Sequence, residues 1–181
     1  VFPGLVSPIT LGRPKSIAAA QQAVRDQRQV GILMQRDPEI ADPAPVDMHR
    51  IGAVANIGRY VTAPDGSHHL VCQGEQRFRV IEFLNGWPFL VARVLRLEEI
   101  DNRTADVEAR FLNLQRMAVE ALQLLPQTPP ELLSAVQGAP NPGALADLVA
   151  AYLDLKPEER QEILETVDVT LRMDKVARLL G

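Results

Sequence analysis

The sequence predicts an α+β fold in which an antiparallel β barrel with one early helix precedes an α-helical bundle. Short β-prone runs separated by turn residues fill residues 1–100, whereas apolar residues recur at helical spacing in residues 101–181. Apolar side chains make up 46% of the chain, which is enough for a sizeable core. We therefore predict two subdomains, a β barrel over 1–100 and a helical bundle over 101–181.

The chain opens with a strand and a helix. Leu5–Leu11 has the composition of a strand, and Pro8 marks it as an edge or bulged strand because proline cannot donate to a sheet ladder. Ser16 is a candidate N-cap for a helix that runs to about Gln27 with its apolar residues on one face.

The next residues predict a buried strand, a loop and a hairpin. Val30–Gln35 is the strand, and three prolines make Arg36–Met48 a surface loop. Ile51–Val61 and Ser67–Cys72 flank Ala63-Pro64-Asp65-Gly66, in which glycine supplies the positive φ that a tight turn requires.

Two more strands complete the barrel. Gln76–Phe83 is the first, Asn85-Gly86 forms a turn, and Trp87–Leu97 is the last strand. About six antiparallel strands of this kind predict a small closed or half-closed barrel.

The second half reads as a bundle of four or five helices. One apolar stripe spaced 4-3-4-4-3 predicts a first helix of several turns. Its members are Val107, Phe111, Leu114, Ala118, Leu122 and Leu125. Pro126, Pro129 and Pro130 end this helix and begin the next.

Helix starts are marked further on by capping residues. Asn141 followed by Pro142 is an N-cap with proline in the first turn, and Pro157-Glu158-Glu159 places acids at a helix N-terminus. Asp168 is predicted to cap the last helix, which ends near Gly181.

Charge and cysteine content exclude several classes of protein. Residues 1–100 hold 11 Lys+Arg against 10 Asp+Glu, and residues 101–181 hold 8 against 13, so neither half has the basic excess of a nucleic-acid binder. One cysteine cannot form an intramolecular disulfide and fits a reducing compartment. We expect no membrane span and no signal peptide. The opening Val1-Phe2-Pro3 lacks an initiator Met, and we expect a piece of a larger protein.

The motifs of phosphate, metal and nucleophilic chemistry are absent from the sequence. It contains no G-x-x-x-x-G-K-[ST], no H-E-x-x-H and no C-x-x-C, and its serines lack a nucleophile-elbow context. His68, His69 and Cys72 lie close in sequence, but His69 faces away from the other two in a strand, so we interpret Cys72 as a small core residue. We predict no catalytic residue, no metal site and no cofactor in this chain.

The arginines of the β half leave two interpretations open. Arg77 and Arg79 share a strand face, with Arg93 and Arg96 on the next strand. They form either a phosphate-binding patch or ion pairs with Glu75, Glu82 and Glu98.

Two apolar clusters are the candidate binding surface. Phe2, Leu5, Val6 and Ile9 surround Pro3 and Pro8, and Trp87 and Phe89 flank Pro88. Most of these side chains belong to a core in the simplest interpretation. An apolar patch on a barrel rim is also typical of a protein-binding site, so these six residues are our candidates for contact with a protein substrate.

The order of several motifs resembles the N-terminal domain of the Lon family of ATP-dependent proteases. Val1-Phe2-Pro3-Gly4, then Gly12-Arg13-Pro14-Lys15-Ser16-Ile17, is similar to the opening of those domains. Ile51–Ile57, Pro64-Asp65-Gly66 and Gly74–Val80 follow in the family's order. The tail, from Lys156 through Glu165 to Leu180, is similar as well, so the resemblance covers nearly the whole chain. In the family a further strand normally precedes the first motif, and we expect that this sequence does not include it.

This resemblance implies a PUA-like barrel and a helical bundle from a cytoplasmic protease that works as a homohexamer. It implies recognition of unfolded or degron-bearing proteins and support of hexamer assembly. The family's ATPase and Ser/Lys protease domains, with their ATP and Mg, have no counterpart in residues 1–181.

Two alternative functions stay open. PUA-like barrels also occur in RNA-binding proteins, which the near-neutral β half and the lack of aromatic-basic alternation disfavour. Salt-dependent affinity for RNA would support that alternative, and no affinity at low salt would exclude it. The other alternative is a stand-alone scaffold that was never fused to an ATPase, which the sequence beyond residue 181 would decide.

Overall fold

A computed structural model describes residues 1–99, 103–126 and 129–181. The chain divides into two compact units, Val1–Glu98 and Glu99–Gly181. The predicted boundary between residues 100 and 101 lies outside the described residues. None of the helices in the described ranges has the length and apolar character needed to cross a membrane.

The first unit contains one α-helix, a short 3-10 helix at Pro45–Asp47 and five strands. The α-helix and the strands are β1 (Val6–Leu11), α1 (Pro14–Arg25), β2 (Val30–Ile32), β3 (Ile51–Thr62), β4 (His68–Leu84) and β5 (Val91–Arg96). All pairings are antiparallel, in the order β1-β4-β3-β2, with β5 also on β4. The predicted α+β class is confirmed.

The β3–β4 hairpin forms as the turn chemistry predicts. Gly66 has φ +87°, and its N–H donates to the carbonyl of Ala63 at 2.9 Å. The strand after this turn differs from the prediction, because the predicted strands Ser67–Cys72 and Gln76–Phe83 are parts of one 17-residue strand, β4, which begins at His68. Two edge partners, β1 and β5, share its length, so the sheet has five strands and not six.

Three boundaries in the first unit also differ from prediction. Helix α1 begins at Pro14 with Arg13 as its N-cap, so Ser16 is not the cap; proline fits the first turn because the N–H it lacks has no intrahelical partner there. The strand predicted over Val30–Gln35 is only three residues long. The strand predicted over Trp87–Leu97 begins at Val91, after a turn in which Gly86 has φ +104°.

Glycine at position 74 lets the N-terminal segment lie against β4. The Gly4 N–H donates to the Gly74 carbonyl at 2.7 Å, and the Gly74 N–H donates to Leu5 at 2.9 Å. A Cβ on Gly74 would come within 2.3 Å of the Phe2 carbonyl oxygen. This close approach buries the Phe2 side chain, which is 5% exposed.

The described residues of the second unit, 99, 103–126 and 129–181, form five helices. They are α2 (Ala105–Gln123), α3 (Pro130–Gln137), α4 (Pro142–Tyr152), α5 (Pro157–Glu165) and α6 (Val169–Leu180). Phe111, Leu114 and Ala118 of the predicted stripe are buried. Leu125 is not part of the stripe, because it lies beyond the end of α2 and is 58% exposed.

The predicted caps of the second unit are confirmed. The Asn141 side chain accepts from Ala144 N at 2.8 Å, and Asp168 accepts from Leu171 N at 3.0 Å. These bonds satisfy backbone donors that the first turn of a helix leaves without partners. Helix α5 starts at Pro157, as expected.

The core of the second unit also holds a buried arginine. Arg172 is fully buried and donates from Nε to the Thr166 carbonyl at 2.8 Å. Its Nη1 lies 2.6 Å from Glu99 Oε1 and 3.5 Å from Asp147 Oδ2. Gly143 leaves room for the Glu99 carboxylate, since a Cβ there would lie 2.3 Å from Glu99 Oε2.

Candidate functional site

One concave surface of the first unit is a mainly apolar groove with a volume of about 1550 Å³. Its floor is the side of the sheet on which Val54, Leu70 and Phe78 are buried. Its walls come from β1, α1, β2 and β5. We call this surface the barrel groove, and the apolar side chains that its walls contribute are Ile9, Leu11, Ala20, Ile32, Leu33, Leu90, Ala92 and Val94.

The barrel groove continues into the core of the first unit. Phe78 packs with Val54 and Val80 as a buried cluster, against which Leu33 and Phe83 are partly buried. Strand β5 contributes alternate residues, so Ala92 and Val94 line the groove while Arg93 and Leu95 face away from it. Much of the lining therefore belongs to strands of the sheet, and part of it is open to solvent.

The rim of the barrel groove is mostly basic. Arg13 donates to Gln35 Oε1 at 3.1 Å and to the Pro38 carbonyl at 2.8 Å. Lys15 pairs with Asp42 at 3.0 Å. These bonds tie the start of α1 to the loop over residues 35–42 on one side of the groove, so the loop is held in place by named side-chain contacts.

The structure separates the four candidates near the N-terminus. Phe2 is buried, Leu5 is half-buried, and Val6 is 64% exposed. Val6 and Ile9 lie on opposite faces of β1, because they are an odd number of positions apart. Only Ile9 of these four lines the barrel groove.

The two candidates near residue 88 lie between β4 and β5. Trp87 is 52% exposed and Phe89 is half-buried, and neither lines the barrel groove. Exposed apolar side chains on the adjoining strands include Ile81, Leu84 and Leu95. Trp87 is therefore an exposed apolar side chain outside the groove.

Sequence reasoning missed most of the groove-lining residues. Leu33, Phe83, Ala92 and Val94 meet there from three different parts of the chain. The alternation of Ala92 and Val94 with Arg93 and Leu95 indicates which residues of β5 share a face, but no local pattern shows that this face meets β2. The groove is a product of long-range pairing.

Cys72 is a core residue, as the sequence suggested. Its side chain is fully buried, and burial raises the pKa of the thiol above its ordinary value. His68 Nδ1 lies 2.6 Å from the Tyr60 hydroxyl, and His69 bonds Ser67 and Thr10. Within the described ranges, no group of three or more His, Cys, Asp or Glu side chains is placed to hold a metal ion.

Two of the four arginines of β4 and β5 pair with carboxylates. Arg93 pairs with Glu82, and Arg96 lies 3.6 Å from Glu75. Arg77 is 1% exposed, whereas Arg79 is exposed. The ion-pair interpretation is confirmed for Arg93 and Arg96.

An α+β domain with a five-stranded antiparallel sheet and an apolar groove is the class that these observations define. The chain belongs to the family of substrate-binding domains of ATP-dependent protease La (Lon), whose family model matches residues 1–181. The expected resemblance is confirmed over the whole chain.

Several Lon proteases are similar to this chain. It is 63% identical over 181 residues to the Lon protease of Methylocella silvestris, covering 100% of this chain and 22% of that protein. It is 55% identical over 182 residues to the Lon protease of Phenylobacterium zucineum, covering 100% of this chain and 23% of that one. The chain thus spans less than a quarter of the length of these relatives.

Solved structures have the same fold. The N-terminal domain of Mycobacterium avium complex Lon protease superposes with a TM-score of 0.77 at 26% identity, covering 99% of this chain and 91% of that one. The Lon N-terminal domain protein from Xanthomonas campestris gives a TM-score of 0.65 at 16% identity, covering 98% and 91%, and supports the fold alone.

Proposed function

We propose that this chain recognises protein substrates for a Lon-type ATP-dependent protease by binding apolar segments of unfolded or degron-bearing proteins. The observation that carries this proposal is the barrel groove, an open and mainly apolar groove on the first unit with a volume of about 1550 Å³. Membership of the Lon substrate-binding family supports it.

The chemistry of the groove suits a tolerant binding site. Unfolded proteins expose apolar side chains in no fixed order, so a receptor for them requires apolar area more than specific polar partners. Burial of two or three such side chains contributes about 3 to 9 kcal/mol, much of which is offset by the loss of translational and conformational freedom. We therefore expect weak, readily reversible binding.

The six candidate residues have different parts in this proposal. Ile9 lines the groove and is proposed to contact substrate directly. Val6 and Trp87 are exposed elsewhere and are proposed as secondary contacts. Phe2 is buried, and Leu5 and Phe89 are half-buried, so they are proposed to pack beneath the exposed side chains and not to contact substrate themselves.

The remaining activities belong to the parent protein in this proposal. The parent is an ATP-dependent serine endopeptidase that acts in the cytoplasm as a homohexamer, with ATP and Mg held by an ATPase domain outside this chain. The chain itself contributes capture of substrate and contacts with its own protomers. The Lon proteases it matches support this assignment.

Neighbouring residues with opposite orientations supply the test. Val94→Asp places a charge in the groove, whereas Leu95→Asp places the same charge one residue along β5 on the other face. Ile9→Asp places a charge in the groove on β1. Binding of a fluorescently labelled, permanently unfolded protein is measured by anisotropy, and circular dichroism checks the fold of each variant.

We expect Val94→Asp and Ile9→Asp to weaken binding by about tenfold or more, because a carboxylate would have to be desolvated against the bound segment. Leu95→Asp should bind like the unaltered chain. Equal affinities for all folded variants would remove the groove from the account.

A further inference from the structure

A second, smaller pocket of about 280 Å³ lies within the first unit, between the end of α1 and the middle of β3. Its lining comes from residues 23–29 on one side and residues 56–60 on the other. We call it the arginine pocket, because Arg28 and Arg59 both line it.

Local backbone geometry fixes the helix side of the arginine pocket. Gln27, two residues after the last residue of α1, lies in the left-handed region with φ +54°. The Arg28 N–H donates to the Ala23 carbonyl at 2.8 Å, and the Gln27 N–H donates to Val24 at 3.3 Å. This double capping pattern satisfies the last carbonyls of the helix and gives residues 27–29 a defined path along the pocket.

A bulge fixes the strand side. The pairing of β3 with β4 shifts register between Ile57 and Arg59, with Gly58 at the shift. A bulge of this kind changes the direction of the following side chain. Arg59 therefore lines the pocket and does not have the orientation that a regular β ladder would give it.

The charge in the arginine pocket is not compensated by a carboxylate. No acidic residue lines it, and across the described ranges 1–99, 103–126 and 129–181 neither Arg28 nor Arg59 has an ion-pair partner. The nearby Glu75 accepts from Gln29 and is paired with Arg96. Asp26, next to the pocket in sequence, accepts from Gln22.

The floor of the pocket is apolar. Ala23 is buried, Ile57 is half-buried, and Val24 is 43% exposed. A guanidinium binds carboxylates and phosphates through paired N–H donors. Two arginines in the lining of a pocket with an apolar floor fit a ligand that carries an anionic group next to an apolar side chain.

We propose that the arginine pocket binds a carboxylate carried next to an apolar side chain of a polypeptide. The polypeptide as the source of this ligand rests on the proposed function, whereas anion binding itself does not. The arginine pocket and the barrel groove share Gln27, Arg28 and Gln29, so a bound segment can engage both surfaces of the unit.

Small probes separate the parts of this proposal. N-acetyl-leucine supplies both groups, N-acetyl-leucinamide supplies only the apolar one, and inorganic phosphate supplies only an anion. Each is titrated into the isotope-labelled chain at low ionic strength, and chemical shifts are followed by NMR. For a ligand of this size we expect a dissociation constant on the order of a few mM for N-acetyl-leucine.

The variants are Arg28→Gln and Arg59→Gln, with Arg79→Gln as the matched control. Arg79 is an exposed arginine of the same unit that does not line the pocket. We expect each pocket variant to weaken N-acetyl-leucine binding by about tenfold, the effect of losing a charge-assisted hydrogen bond. Arg79→Gln should leave it unchanged.

Shifts confined to residues 23–29 and 56–60, produced by N-acetyl-leucine and much weaker with the other two probes, would support the proposal. Equal binding of N-acetyl-leucinamide would overturn the role of the carboxylate, and tighter binding of phosphate would overturn the choice of ligand. No shifts at all would overturn the site. Since Val94→Asp lies outside this pocket and should leave N-acetyl-leucine binding intact, failure of the groove proposal is distinguishable from failure of this one.

Discussion

Replacement of Arg172 by methionine is expected to destabilise the second unit severely. The guanidinium is fully buried and contacts two carboxylates, from Glu99 and Asp147, as well as two backbone carbonyls, from Thr166 and Val167. Methionine fills much of the same volume but donates no hydrogen bond. The substitution therefore removes the charge without opening a large cavity.

The magnitude follows from burial. Asp147 is 2% exposed, so its carboxylate stays in the core after Arg172 is removed. Removal of one partner of a buried ion pair costs about 3 to 5 kcal/mol. The two carbonyls also lose donors, so we expect a loss near the upper end of this range, against a total stability of about 5 to 15 kcal/mol for a typical protein.

Urea unfolding followed by far-UV circular dichroism measures this loss. The matched control is Arg160→Met, because Arg160 is exposed and makes one hydrogen bond of 3.3 Å to Leu153, so its loss should stay within about 0.5 kcal/mol. The double variant Arg172→Met/Asp147→Leu should be more stable than Arg172→Met alone, since it also removes the buried carboxylate that Arg172 contacts. A loss below about 1 kcal/mol for Arg172→Met, or a double variant less stable than the single one, would refute this reasoning.

Three further predictions test the first unit. Gly52→Ala should lower the free energy of unfolding in urea by about 1 to 3 kcal/mol, because its Cβ would lie 2.1 Å from the Ile32 carbonyl oxygen and force β2 away from β3. Gly12→Ala is the control and should be nearly neutral, because a Cβ there would meet nothing within 4 Å. Equal effects of the two substitutions would contradict the packing argument. Gln27→Gly should raise the free energy of unfolding by about 0.5 to 1 kcal/mol, because glycine adopts φ +54° without steric cost. Gln21→Gly, inside α1, should lower the free energy of unfolding by a similar amount. A destabilising effect of Gln27→Gly would contradict the left-handed conformation of Gln27. Cys72 should react with a thiol reagent only after unfolding, because the thiol is buried. Since burial raises the pKa of this thiol, the folded state holds the proton more tightly, and the free energy of unfolding should decline as pH rises above the ordinary pKa of 9.0. Cys72→Ala should remove this pH dependence. Rapid labelling of the native chain would contradict the burial of Cys72.

Features set by local side-chain chemistry could be predicted from the sequence. The Asp65-Gly66 turn and the caps at Asn141 and Asp168 depend on residues within four positions of one another. The stripe on α2 was visible because its spacing matches one helix face. These signals fix where elements begin and which side faces inward.

Features set by contacts between distant residues could not be predicted. The predicted strands left a gap at residues 73–75, yet β4 continues through it, and Gly74 admits the backbone of Phe2 there. The burial of Phe2 follows from that contact and not from its neighbours in sequence. The barrel groove has the same origin, since its walls are brought together by the pairing of β1 and β5 with β4 and of β2 with β3.

The central claim, that the barrel groove captures unfolded protein, is tested most directly by NMR shift mapping. The isotope-labelled chain is titrated with a model protein that unfolds reversibly, and the folded form of the same protein is the control. The account predicts shifts at groove residues such as Ile9, Ala92 and Val94 with the unfolded form only. Equal shifts with both forms, or no shifts in the groove, would contradict it and would leave assembly of the parent hexamer as the proposed role of the chain.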